Sequence, residues 1–410
     1  MKKILLYIVS TLILVMLPFS FFFSKSNLGD KNIIKFSSWG SPSEIKLLKS
    51  IIQNFEKENP EIKIKLLHFP QNYFQKIHIL FASDLAPDVI FINNQNIQLY
   101  IQAGLLENLE SEFPNADKIF YKTALDCFKK NNQLYAIPRD ISNLVIYYNK
   151  DIFKKLGIKI PEKINNLHEL KTLTEKLTTK ENFGINFEED SLYWSYYLAA
   201  NGGGILSDDK KSIIINSKQS IEALNLYSDF VNKYHIAPSK SQIGSMTTAQ
   251  MFINGKLAMY LGGRWMVPKF RETIKFDWDV IEFPSNNENK LYIDASGWAV
   301  SKKSKNKALA IKFIQYLSSK ENINKFTEIG LIIPARKDSA EGKYFLDNKS
   351  PKNAKAFLEM LEYTKPTPVN ENYNYINDIL REKTQSIFSG EKKAEEVFDY
   401  KTINKLESKL

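Results

Sequence analysis

The feature that most constrains this chain is a repeated switch of hydrophobic period, from two to about 3.6 and back, along residues 33–106. Residues 33–39 alternate weakly and run into Ser41-Pro42-Ser43-Glu44, which supplies an N-cap serine, a proline at the first helical position and a glutamate three residues after the cap. Ile45, Leu48, Ile52 and Phe55 then recur at helical spacing up to Asn59-Pro60, after which Ile62, Ile64 and Leu66 alternate as a strand. The series continues with a helix over 71–83, a short buried strand over 88–92 and a helix running toward Gly104-Leu105-Leu106. Alternating strands and helices fold into largely parallel sheets covered on both faces. Further along, residues 145–148, 258–261 and 280–283 have strand character, and 167–177, 220–234, 308–318 and 376–388 are helical. No internal repeat stands out, which argues against a solenoid.

Composition narrows the class. A chain of 410 residues with 43% hydrophobic and 25% charged residues folds as two or three domains and is neither disordered nor a polytopic membrane protein. One cysteine, Cys127, and four histidines exclude a disulfide framework and a Cys/His metal site, and no cofactor is expected. The net charge of +10 invites a nucleic-acid reading. The lysines are interleaved with acids, as in Lys46, Lys49, Glu56, Lys57 and Glu58, and no basic block or recognised nucleic-acid motif accompanies them, so no nucleic-acid partner is expected.

The first residues set the compartment. Lys2 and Lys3 precede an uncharged apolar run over 4–23, followed by Ser24-Lys25-Ser26. Residues 1–26 are therefore a secretory signal peptide cleaved before Asn27, or an uncleaved membrane anchor. Either way the rest of the chain is exported, to the periplasm or the outer face of the cell membrane. Removing the segment takes away three lysines and no acid, lowering the charge from +10 to +7.

In doubly wound sheets ligands collect at the carboxyl ends of strands. Four of the five tryptophans lie in or just after the loops expected there, beside amides, carboxylates and glycines. Indole platforms flanked by hydrogen-bonding groups suit a ligand with apolar faces and many hydroxyls, as a sugar has. The candidate ligand contacts are Trp39, Ser41, Glu44, Asn94, Gln95, Arg139, Asp140, Glu189, Trp194, Asn201, Gly263, Arg264, Trp265, Gly297, Trp298 and Arg336.

The same segments, in this order, resemble the extracytoplasmic solute-binding proteins of ATP-driven (ABC) importers, in the large class that binds sugars and includes the maltose-binding protein. The resemblance is carried by Ala86-Pro-Asp-Val-Ile-Phe91, Tyr100-Ile-Gln-Ala-Gly-Leu-Leu106, Tyr135-Ala-Ile-Pro138, Ile146-Tyr-Tyr-Asn-Lys-Asp-Ile-Phe153, Trp194 with Ala199-Ala-Asn-Gly-Gly203, Phe252-Ile-Asn-Gly-Lys-Leu-Ala-Met259 with Gly262-Gly-Arg-Trp265, and Lys307-Ala-Leu-Ala-Ile-Lys-Phe-Ile314. It implies a two-lobed α/β periplasmic-binding-protein fold, each lobe a mostly parallel sheet flanked by helices, with the ligand trapped between lobes by hinge closure. The implied lobes are 27–140 plus 298–334 and 141–297 plus 335–410, with crossings near 138–141, 292–298 and 333–336. By the same resemblance Asn94 and Gln95 hydrogen-bond sugar hydroxyls, Asp140 is a hinge carboxylate with that task, Glu189 is a second-lobe acid, and Trp265 stacks on a sugar ring. Gln95 and Asn96 are neutral where the maltose binder has a charged pair, so maltodextrin specificity does not carry over.

The implied function is substrate capture for an ABC importer by a monomer that delivers a sugar to permease subunits. Three of the five arginines, Arg139, Arg264 and Arg336, fall in the expected hinge and cleft loops. They either brace the hinge with ion pairs or recognise an anion, in which case the ligand is a uronic acid or a polyol phosphate such as glycerol 3-phosphate. A glycan-active enzyme is the poorer reading: Asp140 and Glu189 would sit on opposite lobes of a mobile cleft, and no G-x-S-x-G elbow is present. A ligand sensor using the same closure shares every one of these features.

Overall fold

The computed structural model describes residues 32–285 and 288–410, so the leader lies outside the described residues. The strands that position the site are β1 (Ile33–Ser38), β2 (Lys63–His68), β3 (Val89–Asn93), β4 (Ile137–Ser142), β5 (Leu144–Asn149), β6 (Met259–Gly263), β7 (Trp278–Glu282), β8 (Leu291–Val300), β9 (Ile333–Pro334) and β10 (Thr364–Pro366). The principal helices are α1 (Pro42–Glu58), α2 (Tyr73–Ala82), α3 (Asn94–Gln102), α4 (Ser191–Ala200), α5 (Lys218–Asn232), α6 (Lys307–Leu317), α7 (Lys320–Glu328) and α8 (Tyr373–Phe388).

The opening β-α-β unit forms as its pattern dictates. Ser41 caps α1, its hydroxyl accepting the Glu44 amide at 3.3 Å, and Pro42 occupies the first turn. The apolar stripe of α1 buries Leu48, Ile52 and Phe55, and Phe55 meets Phe313 of α6 at 5.0 Å between ring centroids, while Phe36 of β1 meets the same ring at 5.5 Å. In β3, Val89, Ile90, Phe91 and Ile92 are all fully buried. Burying each contributes roughly 1.5–3 kcal/mol, and burial on both faces is what a central strand needs.

The first sheet runs β9-β4-β8-β3-β1-β2, with β10 paired to the start of β8. β1 is parallel to β2 and β3, and β10 to β8, whereas β8 is antiparallel to β3 and β4 and β9 to β4, so this sheet is mixed rather than mostly parallel as expected. The second sheet, β6-β5-β7, is antiparallel throughout, which corrects the expectation of a mostly parallel sheet there. Its middle strand, β5, leaves the first sheet directly after β4 with only Asn143 between them, and both its neighbours run back toward that junction. β6 and β7 run in the same direction and are joined through the helix Val267–Thr273, but β5 lies between them, so every pairing in this sheet is antiparallel.

Three segments sit side by side where the sheets meet: Ile333 pairs with Ile141, Pro334 with Asp140, and Asp140 with Ser296. The register shifts between Ser296 and Gly297, and a Cβ on Gly297 would lie 2.3 Å from the Ile137 carbonyl oxygen. Gly297 is therefore required by close strand approach rather than by a ligand.

Asp294 ties this junction to α3. Its carboxylate accepts the Asn94 amide at 2.8 Å and the Gln95 amide at 3.1 Å, and the Asn94 carbonyl oxygen accepts the Ala295 amide. Replacing Asp294 by alanine strands both amides and is expected to lower stability in urea unfolding by about 1–3 kcal/mol. Burial raises the Asp294 pKa above its ordinary value, against the opposing hydrogen bonds. A raised acid pKa means the folded state holds the proton more tightly, so the stability this group adds is full below about pH 4 and declines as pH rises. The loss on Asp294→Ala should accordingly be larger near pH 4 than near pH 8, and the reverse order would contradict the assignment.

Candidate functional site

Where the two sheets meet, a cavity of about 180 Å³ is lined by Trp39, Glu44, Arg139, Asp140, Ile141, Ser142, Arg264, Trp265, Ser296 and residues 331–333. Each group arrives from a different element. Trp39 follows the carboxyl end of β1, Glu44 sits in the first turn of α1, Arg139 and Asp140 lie on β4, Ser296 on β8, and Arg264 and Trp265 follow β6 of the second sheet. Three crossing segments form the floor, and the two indoles come from opposite sheets.

The charges are organised around Arg139. Its guanidinium donates Nε to Asp140 at 2.6 Å and Nη1 to Glu44, and packs over the Phe91 ring at 4.3 Å. Burial alone would lower the Arg139 pKa, but Asp140 and Glu44 outweigh it and hold the pKa raised. Burial raises the Asp140 pKa in spite of Arg139. The other oxygen of Asp140 accepts the Ser296 amide at 3.3 Å. One cation against two carboxylates leaves this side of the cavity acceptor-rich.

The aromatic walls differ. Trp39 is wedged among Tyr73, Phe74 and Phe91, with centroids 4.9, 5.5 and 4.3 Å away. The Trp265 ring folds back over Gly263, where a Cβ would overlap it at 1.9 Å, so Gly263 makes room for the indole. Arg264 turns inward: it is 2% exposed, its guanidinium lies 4.2 Å from the Phe345 ring centroid, and Nε donates to the Gly330 carbonyl at 3.3 Å. Among the described residues its two terminal nitrogens have no partner, and burial pulls its pKa down to about 10.

The remaining candidates lie elsewhere. Trp194 and Trp298 are each 1% exposed; Trp194 donates Nε1 to the Glu189 carbonyl, and Trp298 packs toward Phe91. They are core residues, because their backbones enter helix α4 and the interior of β8 rather than a loop tip. Asn94 and Gln95 are engaged with Asp294. Ser41 caps α1, and Asn201 ends α4 with its amide on the Gln219 carbonyl. Glu189 is exposed and pairs with Lys240 outside the cavity. Arg336 forks onto both oxygens of Asp338 and reaches the Ser318 carbonyl, a brace rather than a cavity group. Ser142 and Ser296 carry no motif that distinguishes them in the sequence; strand register brings them to the cavity, and Ile332 reaches it just before β9.

Known proteins share this fold. A family model described as bacterial extracellular solute-binding protein matches residues 50–357. The maltodextrin-binding protein MdxE of Bacillus subtilis is 26% identical over 344 residues, 78% of this chain and 77% of that one. The multiple sugar-binding protein of Streptococcus mutans is 29% identical over 302 residues, covering 69% and 70% of the two chains. Among solved structures, the ABC substrate-binding protein Lmo0181 of Listeria monocytogenes in complex with cycloalternan superposes with a TM-score of 0.83 at 28% identity, covering 92% of this chain and 98% of that one. With a two-sheet fold, a cavity at the strand crossings and a family match across most of its length, this chain belongs to the bacterial extracellular solute-binding proteins.

Proposed function

We propose that the protein captures a neutral sugar or oligosaccharide between its lobes and delivers it to the permease of an ABC importer, without catalysis. The observation that carries this reading is the pairing, in one cavity, of indoles from opposite sheets with buried carboxylates and serine hydroxyls on the crossing strands. Indole faces match the apolar faces of a pyranose ring, and Glu44, Asp140, Ser142 and Ser296 offer hydrogen bonds to its hydroxyls. The named ligands of the Bacillus, Streptococcus and Listeria proteins support the same ligand class.

The arginines favour a neutral ligand over an anionic one. Arg139 is already engaged by two carboxylates and Arg336 is held by Asp338 and Ser318; Arg264 lines the cavity without an acid partner among the described residues, but it is 2% exposed and packs on the Phe345 and Phe357 rings. An anion entering the cavity would meet Glu44 and Asp140 at close range. Asp140 and Glu189 do not form a catalytic pair, since Glu189 lies outside the cavity that holds Asp140.

Closure follows from differential contact. A ligand that touches only one lobe shifts no equilibrium; one that touches Trp39 and Trp265 together stabilises the closed form.

Two outcomes test this. A chain beginning at Asn27 should change its intrinsic fluorescence on titration with members of a neutral oligosaccharide panel, and Trp265→Ala should weaken binding by about tenfold or more while leaving the melting temperature nearly unchanged. Silence across the whole panel would remove the sugar-capture reading. Arg139→Ala leaves two buried carboxylates without their cation and should cost about 3–5 kcal/mol in urea unfolding. If that variant is stable and loses acidic ligands only, Arg139 is an anion reader and the neutral-ligand reading fails.

A further inference from the structure

At the end of the first sheet remote from the cavity, where β1, β2 and β3 begin and β8 ends, a groove of about 610 Å³ opens between the loops 84–88 and 301–306. Four lysines line it, Lys35, Lys65, Lys303 and Lys305, against two acids, Asp84 and Asp88. Both acids are occupied. Asp88 accepts the Lys35 backbone amide at 2.8 Å and the Ser304 hydroxyl, while Asp84 pairs with Lys303. The parallel register places Lys35 directly beside Lys65. Among the described residues no acid pairs with the ammonium of Lys35, Lys65 or Lys305, whereas Lys63 finds Glu56 and Lys307 finds Glu107. Like charges on adjacent strand positions repel, and a bound anion is what would relieve them.

Two further features give the anion a setting. Leu85, in the loop that rims the groove, is 59% exposed, and Ile79 on the preceding helix is 65% exposed. Exposed aliphatic side chains among lysines suit the boundary between lipid headgroups and acyl chains. The described residues also begin at this pole, with Asn32 directly before β1.

We propose that this pole docks on anionic phospholipid headgroups at the outer face of the membrane, with Lys35, Lys65 and Lys305 on the phosphates and Leu85 entering the interface. The surface works with the leader retained or removed. It is independent of the sugar reading, because the groove lies at the opposite ends of β1 and β3 from Trp39 and Asn94. The attraction is electrostatic and extends about one Debye length, roughly 10 Å in 0.1 M salt, so binding is weak and salt-sensitive.

The test uses the chain from Asn27 onward, which retains every described residue and removes the leader's own membrane affinity. At low ionic strength it should co-sediment with vesicles containing phosphatidylglycerol and not with pure phosphatidylcholine, and about 0.5 M salt should release it. The triple variant Lys35→Glu, Lys65→Glu, Lys305→Glu should bind at least about tenfold more weakly. A control, Lys392→Glu, Lys401→Glu, Lys405→Glu, makes the same change in net charge at exposed positions near the other end of the chain and should keep its binding. Circular-dichroism melting of both variants verifies their folding. Equal loss in the two variants, no binding to phosphatidylglycerol, or displacement by millimolar inorganic phosphate would each overturn the proposal. The last result would make the groove a site for free phosphate.

Discussion

A single guanidinium held between two carboxylates at the strand junction sets the geometry of the cleft. Glu44, Arg139 and Asp140 are 6%, 8% and 4% exposed, so each has given up most of its hydration. Any one of them left alone there would be strongly unfavourable; together their attraction and hydrogen bonds offset much of the desolvation, in full for Arg139 and in part for Asp140. Their connectivity matters more than their net energy. Glu44 belongs to the first turn of α1, Arg139 and Asp140 to β4, and Asp140 also holds the Ser296 amide of β8. One network thereby fixes a helix start, the first crossing strand and the second crossing strand relative to one another.

Asp294 extends the same logic one step along β8. It anchors the start of α3 through Asn94 and Gln95, so the loop after β3 is held by a crossing strand instead of standing free. The third segment, β9, lies against β4 opposite β8. Three adjacent strands connect the two sheets at this junction, which suits a hinge between two α/β bodies. In the proposed capture mechanism the ligand needs to supply only the contacts that differ between open and closed forms, because the junction's charged groups find their partners within the chain.

The opening strands and helices of the first sheet were legible in the sequence to within a few residues. The Ser41-Pro42 start, the helical stripe to Phe55 and the all-apolar β3 each formed where local pattern placed them, because capping chemistry and side-chain periodicity are local properties. The antiparallel second sheet was not legible, since direction follows from which strand lies beside which, and residues 150–258 separate β5 from β6. The site was legible in part. Loop tryptophans, hinge arginines and strand-end amides were found as residue types. Their roles divided by orientation: Trp39 and Trp265 line the cavity, Trp194 and Trp298 fill cores, and Arg139 braces where Arg264 turns inward.

The sequence by itself determined the element order, the two-lobed α/β class and the pool of residues from which a site could be drawn, because period, caps and composition act over a few residues at a time. Tertiary structure alone decided which of those residues share a cavity, which cation neutralises which acid, and that Asn94 and Gln95 serve Asp294. Those outcomes depend on contacts between positions about 95 to 200 residues apart, as in Arg139 with Glu44 and Asn94 with Asp294. No local rule encodes them; strand register and burial do.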